Sequence, residues 1–125
     1  MNTCIKKVGD FLMKDIEFIR KIIEQNNHKQ FVKRILNRNN YKPLDNNDGT
    51  HSTHAMEWVD VDNGRAVAFP TVLVNSNNEL QRFSTKDAIK HTQKTGNYIR
   101  FDNKADAAYF SKNYKLIWGS NDSKY

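Results

Sequence analysis

The chain has 125 residues, with 20 Lys and Arg against 14 Asp and Glu, and a net charge of +6 at pH 7. Its length suits one domain with a core of its own. The single cysteine, Cys4, excludes an internal disulfide framework and a zinc site built from several thiolates. No apolar run approaches the roughly 18 residues of a membrane helix, and the first residues lack the apolar stretch of a signal peptide. We therefore expect neither a membrane partner nor export by that route.

Positive charge is concentrated at the start of the sequence. Residues 1–42 hold ten Lys and Arg and four Asp and Glu, which gives +6, whereas residues 43–125 hold ten of each and are neutral. Such a split indicates a surface that meets an anionic partner. A solvated helix face explains the same pattern equally well.

Apolar residues between Asp10 and Leu36 recur in pairs at helical spacing, and Asp10 suits an N-cap. Weak helix formers at 25–28 separate two predicted helices, about 10–25 and about 28–38. Most basic side chains lie off the apolar stripe, so we predict a basic amphipathic helical arm over residues 1–38. The side chains predicted to contact nucleic acid or a partner protein are Lys14, Arg20, Lys21, Lys33 and Arg34.

The arm allows two kinds of contact. Phosphate contacts by its basic side chains would be sequence-tolerant and sensitive to salt, because no base-reading motif accompanies the charge. Apolar pairs such as Ile22 and Ile23 would instead dock on a protein or join two copies of the chain. In either case we expect residues 28–125 to fold without the residues that precede them.

A different periodicity begins after an Asn-rich loop at 37–48. Alternating patterns predict strands over 53–61 and 65–74, joined by the hairpin signal Asp62-Asn63-Gly64. After a further turn, a short third strand is predicted at 79–83. Together these segments predict an antiparallel meander.

Two more helices are predicted towards the end of the sequence, at about 84–95 and about 102–113. The first is capped by Ser84 or Thr85 and stopped by Gly96, and the second is capped by Asp102 or Asn103. A short strand is predicted between them at 98–101, and residues 114–118 are the candidate for a further strand. The predicted fold is therefore α+β. It has a helical N-terminus followed by a three- to four-stranded antiparallel meander with two helices packed on one face, and residues 39–125 form the globular domain.

His51 and His54 are the strongest candidates for chemistry. A metal site needs three or four ligands, and two histidines three residues apart on a strand point to opposite faces. A serine nucleophile would need an orienting group and an oxyanion hole, for which no motif is present. Acid–base chemistry by His54 with Glu57 is the remaining enzymatic interpretation. We expect instead that His54 is a hydrogen-bonded structural residue, and we predict no catalytic residue, no metal and no cofactor.

Six short motifs follow one another along residues 31–118: Phe31–Asn37, Asp45–Gly49, Ser52–Met56, Ala68–Val72, Lys94–Tyr98 and Phe110–Lys115. In order and spacing these motifs resemble a small domain of tailed-bacteriophage proteins. The domain is found in internal virion proteins, in multi-domain phage proteins and as stand-alone small phage proteins. The resemblance implies a phage origin but supplies no biochemical role.

The recurring polar residues of that domain correspond here to Ser52, Thr53, His54 and Thr71. The resemblance implies that two adjacent strand ends share a polar network at these residues. Such a network is either a binding notch or a hydrogen-bond cluster that defines the fold.

Two functional hypotheses follow. In the first, the chain is a non-enzymatic, virion-associated structural or interaction protein, whose arm contacts DNA or a partner protein of the virion. In the second, it is a small phage effector that binds a host enzyme or nucleic acid in the host cytoplasm during infection. A third hypothesis, an enzyme that uses His54, has the weakest support from the sequence.

Overall fold

The computed structural model describes residues 15–119. Within this part the helices are 15–25 (α1), Gln30–Leu36 (α2), Thr85–Thr95 (α3) and Lys104–Asn113 (α4). The strands are Leu44–Asp45 (β1), His51–Ser52 (β2), Met56–Asp60 (β3), Ala66–Pro70 (β4), Val72–Val74 (β5), Leu80–Arg82 (β6) and Ile99–Phe101 (β7). The strand pairs of this part are antiparallel. The predicted α+β class with a helical N-terminal region is confirmed.

The largest sheet has three strands in the order β3-β4-β7. β3 and β4 form the predicted hairpin, in which Trp58 lies opposite Ala68. The turn between them needs left-handed backbone, with φ of 54° at Asn63 and 75° at Gly64. Asn and Gly adopt this conformation most readily, so the local turn chemistry explains the hairpin.

The meander does not continue beyond this hairpin. Thr71 separates β4 from β5, and β5 pairs with β6 in a separate two-stranded sheet. The place beside β4 is taken instead by β7. Thr71 connects the two sheets, because its N–H donates to the carbonyl of Ala55 at 2.9 Å and its own carbonyl accepts from the N–H of Phe83 at 2.7 Å. An alternating pattern predicts a strand but does not specify its partner. This explains why the third predicted strand lies in a different sheet from the hairpin.

Helices cover both faces of the central sheet, which corrects the prediction that two helices share one face. Ala66 and Ala68 of β4 pack into the same core cluster as Phe110 of α4. The alternate residues Val67 and Phe69 pack against Ala88 of α3. Because successive side chains of a strand point to opposite faces, α3 and α4 lie on opposite sides of β4. All five residues of β4 are accordingly buried.

The helices of the predicted arm supply part of the main core. Ile19 and Ile23 of α1 are 0% and 2% exposed. They belong to one buried cluster with Phe31 of α2, Ala66 of β4 and Phe110 of α4. The division of the chain at residues 38 and 39 stays a prediction, but α1 and α2 do not pack apart from the sheet.

A turn of 3₁₀-helix at Tyr114–Trp118 occupies the segment proposed as a further strand. Tyr114 is buried beside Phe110, with the two rings stacked at a centroid distance of 6.0 Å. Trp118 donates its indole N–H to the carbonyl of Ile35 at 2.7 Å. This segment therefore packs against α2 and does not join the sheet.

The predicted caps of α3 and α4 are confirmed. The side chain of Ser84 accepts a hydrogen bond from the N–H of Asp87, and that of Asn103 accepts one from the N–H of Asp106. Gly96 ends α3 with a left-handed φ of 75°. These caps satisfy backbone groups that the helix itself leaves unpaired.

Candidate functional site

Arg34 is buried and holds three parts of the chain together. Its side chain is 7% exposed. Its guanidinium donates to the carbonyl of Val72 at 2.6 Å and to the carbonyl of Thr53 at 3.4 Å. Burial lowers the pKa of Arg34, while the nearby Tyr114 and Tyr41 act in the opposite direction. Arg34 therefore leaves the set of side chains predicted to meet an anionic partner, because its charge is directed into the protein.

His54 lies in the same buried region. It is 5% exposed, its Nδ1 lies 2.7 Å from Oγ1 of Thr53, and its ring meets that of Trp118 edge-on at 5.2 Å. Its Nε2 has no hydrogen-bond partner within residues 15–119. Burial is the main reason why the pKa of His54 is lowered from 6.5 to about 3, and the positive charge of Arg34 is the second. His54 is therefore neutral at physiological pH.

The stability of the protein should fall as the pH is lowered from about 6.5 towards about 3. In this window the unfolded chain binds a proton at His54 and the folded chain does not, so acid favours unfolding with a slope of up to about 1.4 kcal/mol per pH unit. Urea unfolding of wild type and His54→Gln at about pH 7 and about pH 4 measures this. His54→Gln should be less stable than wild type by about 1–3 kcal/mol near neutral pH. This difference in the free energy of unfolding should become smaller in acid.

The exposed His51 provides the matched control for that measurement. His51→Gln should follow the wild-type pH dependence. If His54→Gln also ran parallel to wild type across this pH range, His54 would not be the buried neutral group described above.

The four residues of the predicted polar notch do not form an open notch. Thr53, His54 and Thr71 are 3–5% exposed. Ser52 is half-buried and accepts a hydrogen bond from the side-chain amide of Asn46 at 2.9 Å. Of the two interpretations offered by the sequence, this burial favours a hydrogen-bond cluster that defines the fold.

The basic residues of α1 are exposed but are balanced by acidic neighbours. Arg20 and Lys21 lie on the solvent side of the helix. Residues 15–25 also contain Asp15, Glu17 and Glu24, so two basic side chains meet three acidic ones. Side chains three and four positions apart are neighbours on a helix. Glu17 and Glu24 therefore lie close to Arg20 and Lys21 and offset their field. Lys14 lies outside the described residues.

A stronger row of positive charge lies on α3. Lys86, Lys90 and Lys94 are all exposed and are spaced four residues apart, so they share one side of the helix. The opposite side of α3 packs against the sheet through Ala88 and Thr92, which are buried. Asp87, in the first turn, is the acidic residue of this helix.

The start of α2 lies beside the end of α3. Nζ of Lys29 donates to the carbonyl of Gly96 at 3.0 Å and lies 5.2 Å from the ring centre of Tyr98. The N–H of Phe31 donates to the side chain of Asn97 at 3.2 Å. We group Lys29 with the exposed lysines of these two helices under the name α2–α3 basic surface; its residues are Lys29, Lys33, Lys86, Lys90 and Lys94.

The α3 part of this surface is not among the contacts predicted from the sequence. Counting charge over residues 43–125 gives zero, which hides the fact that Lys86, Lys90 and Lys94 share one side of a helix. The signal that would have found it is the four-residue spacing of the three lysines within a predicted helix.

Residues 15–119 bring together no group of three or more His, Cys, Asp or Glu side chains that could hold a metal ion. In the same part of the chain, no helix is long and apolar enough to cross a membrane.

Comparison of the chain with protein-family models, with curated proteins and with solved structures gave no match. The resemblance to a phage domain therefore stays a prediction.

Proposed function

We propose that this chain is a non-enzymatic bacteriophage interaction protein that holds a polyanion, namely the phosphate backbone of nucleic acid, on its α2–α3 basic surface. The observation that carries the proposal is the exposed row of Lys86, Lys90 and Lys94, which α3 presents on one side. The phage origin is supported by the sequence motifs between residues 31 and 118.

Phosphate backbone is the ligand that best suits this surface. Lysines spaced along a helix offer point charges at intervals of about 6 Å, which is the scale of phosphate spacing along a nucleic-acid strand. Flexible ammonium groups contact phosphates without reading bases. The surface is thus suited to sequence-tolerant binding.

A protein partner of acidic character is the competing occupant. It would use the same lysines, but it would also need apolar contacts at its centre, since protein interfaces are depleted in charge there. The apolar pairs of α1 were the predicted source of such contacts. Ile19 and Ile23 are now engaged in the core, while Ile22 is half-buried. This burial favours nucleic acid as the partner, because it leaves little apolar surface on α1 for docking a protein or for forming a dimer.

We expect the intact protein to bind arbitrary duplex DNA at low salt and to release it steeply as salt is added. Three to five phosphate contacts predict a loss of about 40- to 500-fold in affinity between 50 and 200 mM salt. Fluorescence anisotropy with two unrelated duplexes measures the affinity and its independence of sequence.

A variant with matched loss of charge locates the binding surface. Lys86→Gln/Lys90→Gln/Lys94→Gln should reduce the slope of log affinity against log salt by about 3. The control, Lys21→Gln/Lys104→Gln/Lys112→Gln, removes three exposed lysines from α1 and α4, and it should change the slope much less. If both variants weakened DNA binding equally, net charge alone would be responsible for the binding. Absence of binding at low salt would overturn the proposal.

Two settings are compatible with this function. A virion-associated protein would be found at stoichiometric copy number in purified phage particles, whereas an effector made in the host cytoplasm would be missing from them. Quantitative mass spectrometry of purified virions distinguishes the two settings.

A further inference from the structure

A groove of about 300 Å³ lies between α3 and the central sheet, on the side of the sheet away from α4. Val59 and Val67 of the hairpin form its floor together with Phe69, and Ile89 of α3 forms one wall. Phe69 is fully buried and Val67 is 8% exposed, whereas Val59 and Ile89 are half-buried. The groove therefore exposes aliphatic surface that neither helix nor sheet covers completely.

One end of the groove is positively charged. In the sheet register, Val67 lies opposite Val59 on one side and opposite Arg100 on the other. The apolar floor therefore ends at the exposed side chain of Arg100, whose Nη2 lies 3.5 Å from the hydroxyl of Tyr98. Within residues 15–119, no carboxylate lies within ion-pair distance of Arg100.

A buried polar group also lines the groove. Thr92 of α3 is 5% exposed, and its hydroxyl has no hydrogen-bond partner among the described residues. A hydroxyl that is buried without a partner is unfavourable. A ligand oxygen that reached it would supply the missing hydrogen bond.

We propose that this groove binds a small apolar monocarboxylate, an aryl- or alkyl-substituted acid, with its hydrocarbon part on Val59, Val67 and Ile89 and its carboxylate at Arg100. The charge of Arg100 selects an anion, and the aliphatic floor selects an apolar body. A volume of about 300 Å³ is at the lower limit for ligand pockets, which indicates a small molecule. This site is separate from the α2–α3 basic surface and does not depend on the nucleic-acid proposal.

The test uses 4-phenylbutyrate as the probe, with 4-phenylbutanol and 4-phenylbutylamine as uncharged and cationic analogues. Titrations of the ¹⁵N-labelled full-length protein followed by NMR report both affinity and location. We expect saturable shifts centred on Ile89, Thr92 and Arg100 for the carboxylate, weaker binding by at least about tenfold for the alcohol, and no binding of the amine. Equal affinity for acid and alcohol, or shifts spread outside the groove, would overturn the proposal.

Three variants test the assigned contacts. Arg100→Gln should weaken 4-phenylbutyrate binding about tenfold and leave 4-phenylbutanol binding unchanged. Thr92→Val, which keeps the side-chain shape, should weaken binding of 4-phenylbutyrate severalfold. Lys104→Gln on α4 should have no effect on this binding. Thermal melts confirm that each variant is folded. Unchanged binding of the acid by both Arg100→Gln and Thr92→Val would contradict the site, as would absence of binding to the wild-type protein.

Discussion

A protein that begins at residue 28 should lack a cooperative unfolding transition. This expectation reverses the one drawn from the sequence, because the truncation removes Ile19 and Ile23 from the main core. Burying a side chain of this size stabilises a fold by about 1.5–3 kcal/mol. Together with the half-buried Phe18 and Ile22, the loss is comparable to the total stability of about 5–15 kcal/mol that is typical of a domain.

Circular dichroism and calorimetric melts of residues 28–125 measure this effect. A double variant tests the same contribution in the full chain. Ile19→Ala/Ile23→Ala should lose about 4–10 kcal/mol, since each buried Ile→Ala change costs about 2–5 kcal/mol. Arg20→Ala/Glu24→Ala is the control, because both side chains are exposed on the same helix. A truncated protein that melts cooperatively near the wild-type temperature would show that α1 contributes little to the core.

Arg34→Ala should destabilise the protein by about 2–4 kcal/mol. The change leaves the buried carbonyls of Val72 and Thr53 without their donor, and an unpaired buried acceptor costs more than an ordinary hydrogen bond contributes. The shorter contact, 2.6 Å to Val72, should account for most of the loss. Urea unfolding gives the change in free energy.

Lys33→Ala is the matched control for this prediction, since Lys33 is the exposed neighbour of Arg34 on the same helix. It should change stability by less than about 0.5 kcal/mol. The two variants also differ in function: Lys33→Ala should weaken DNA binding with the fold intact. If Arg34→Ala kept full stability and lost DNA binding, Arg34 would have the phosphate-contact role that the sequence predicted.

Much of the local structure could be predicted from short stretches of sequence. The hairpin turn at Asp62–Gly64 follows from the left-handed preference of Asn63 and Gly64. The boundaries of α3 follow from Ser84 and Gly96. In each case the deciding groups lie within one turn of one another, so neighbouring residues carry the information.

The candidate sites were less predictable, because they depend on burial. A basic residue on an amphipathic helix is ordinarily assigned to solvent, and the pattern around Arg34 contains nothing that marks it as a donor to β5. His54 was correctly expected to be hydrogen-bonded, since its Nδ1 meets Thr53. The apolar groove beneath α3 could not be anticipated, because its lining combines residues of β3, β4 and β7 with residues of α3.

The sequence alone specifies the helices, the hairpin, the caps and the total charge, since each depends on residue type and on contacts between near neighbours. The tertiary structure sets which charges face solvent and which strands pair. It placed α3 and α4 on opposite faces of β4, buried Arg34 against the carbonyl of Val72, and left Lys86, Lys90 and Lys94 exposed in a row. The physical reason is that burial is set by side chains distant in sequence, whose packing partners are chosen only when the whole core closes.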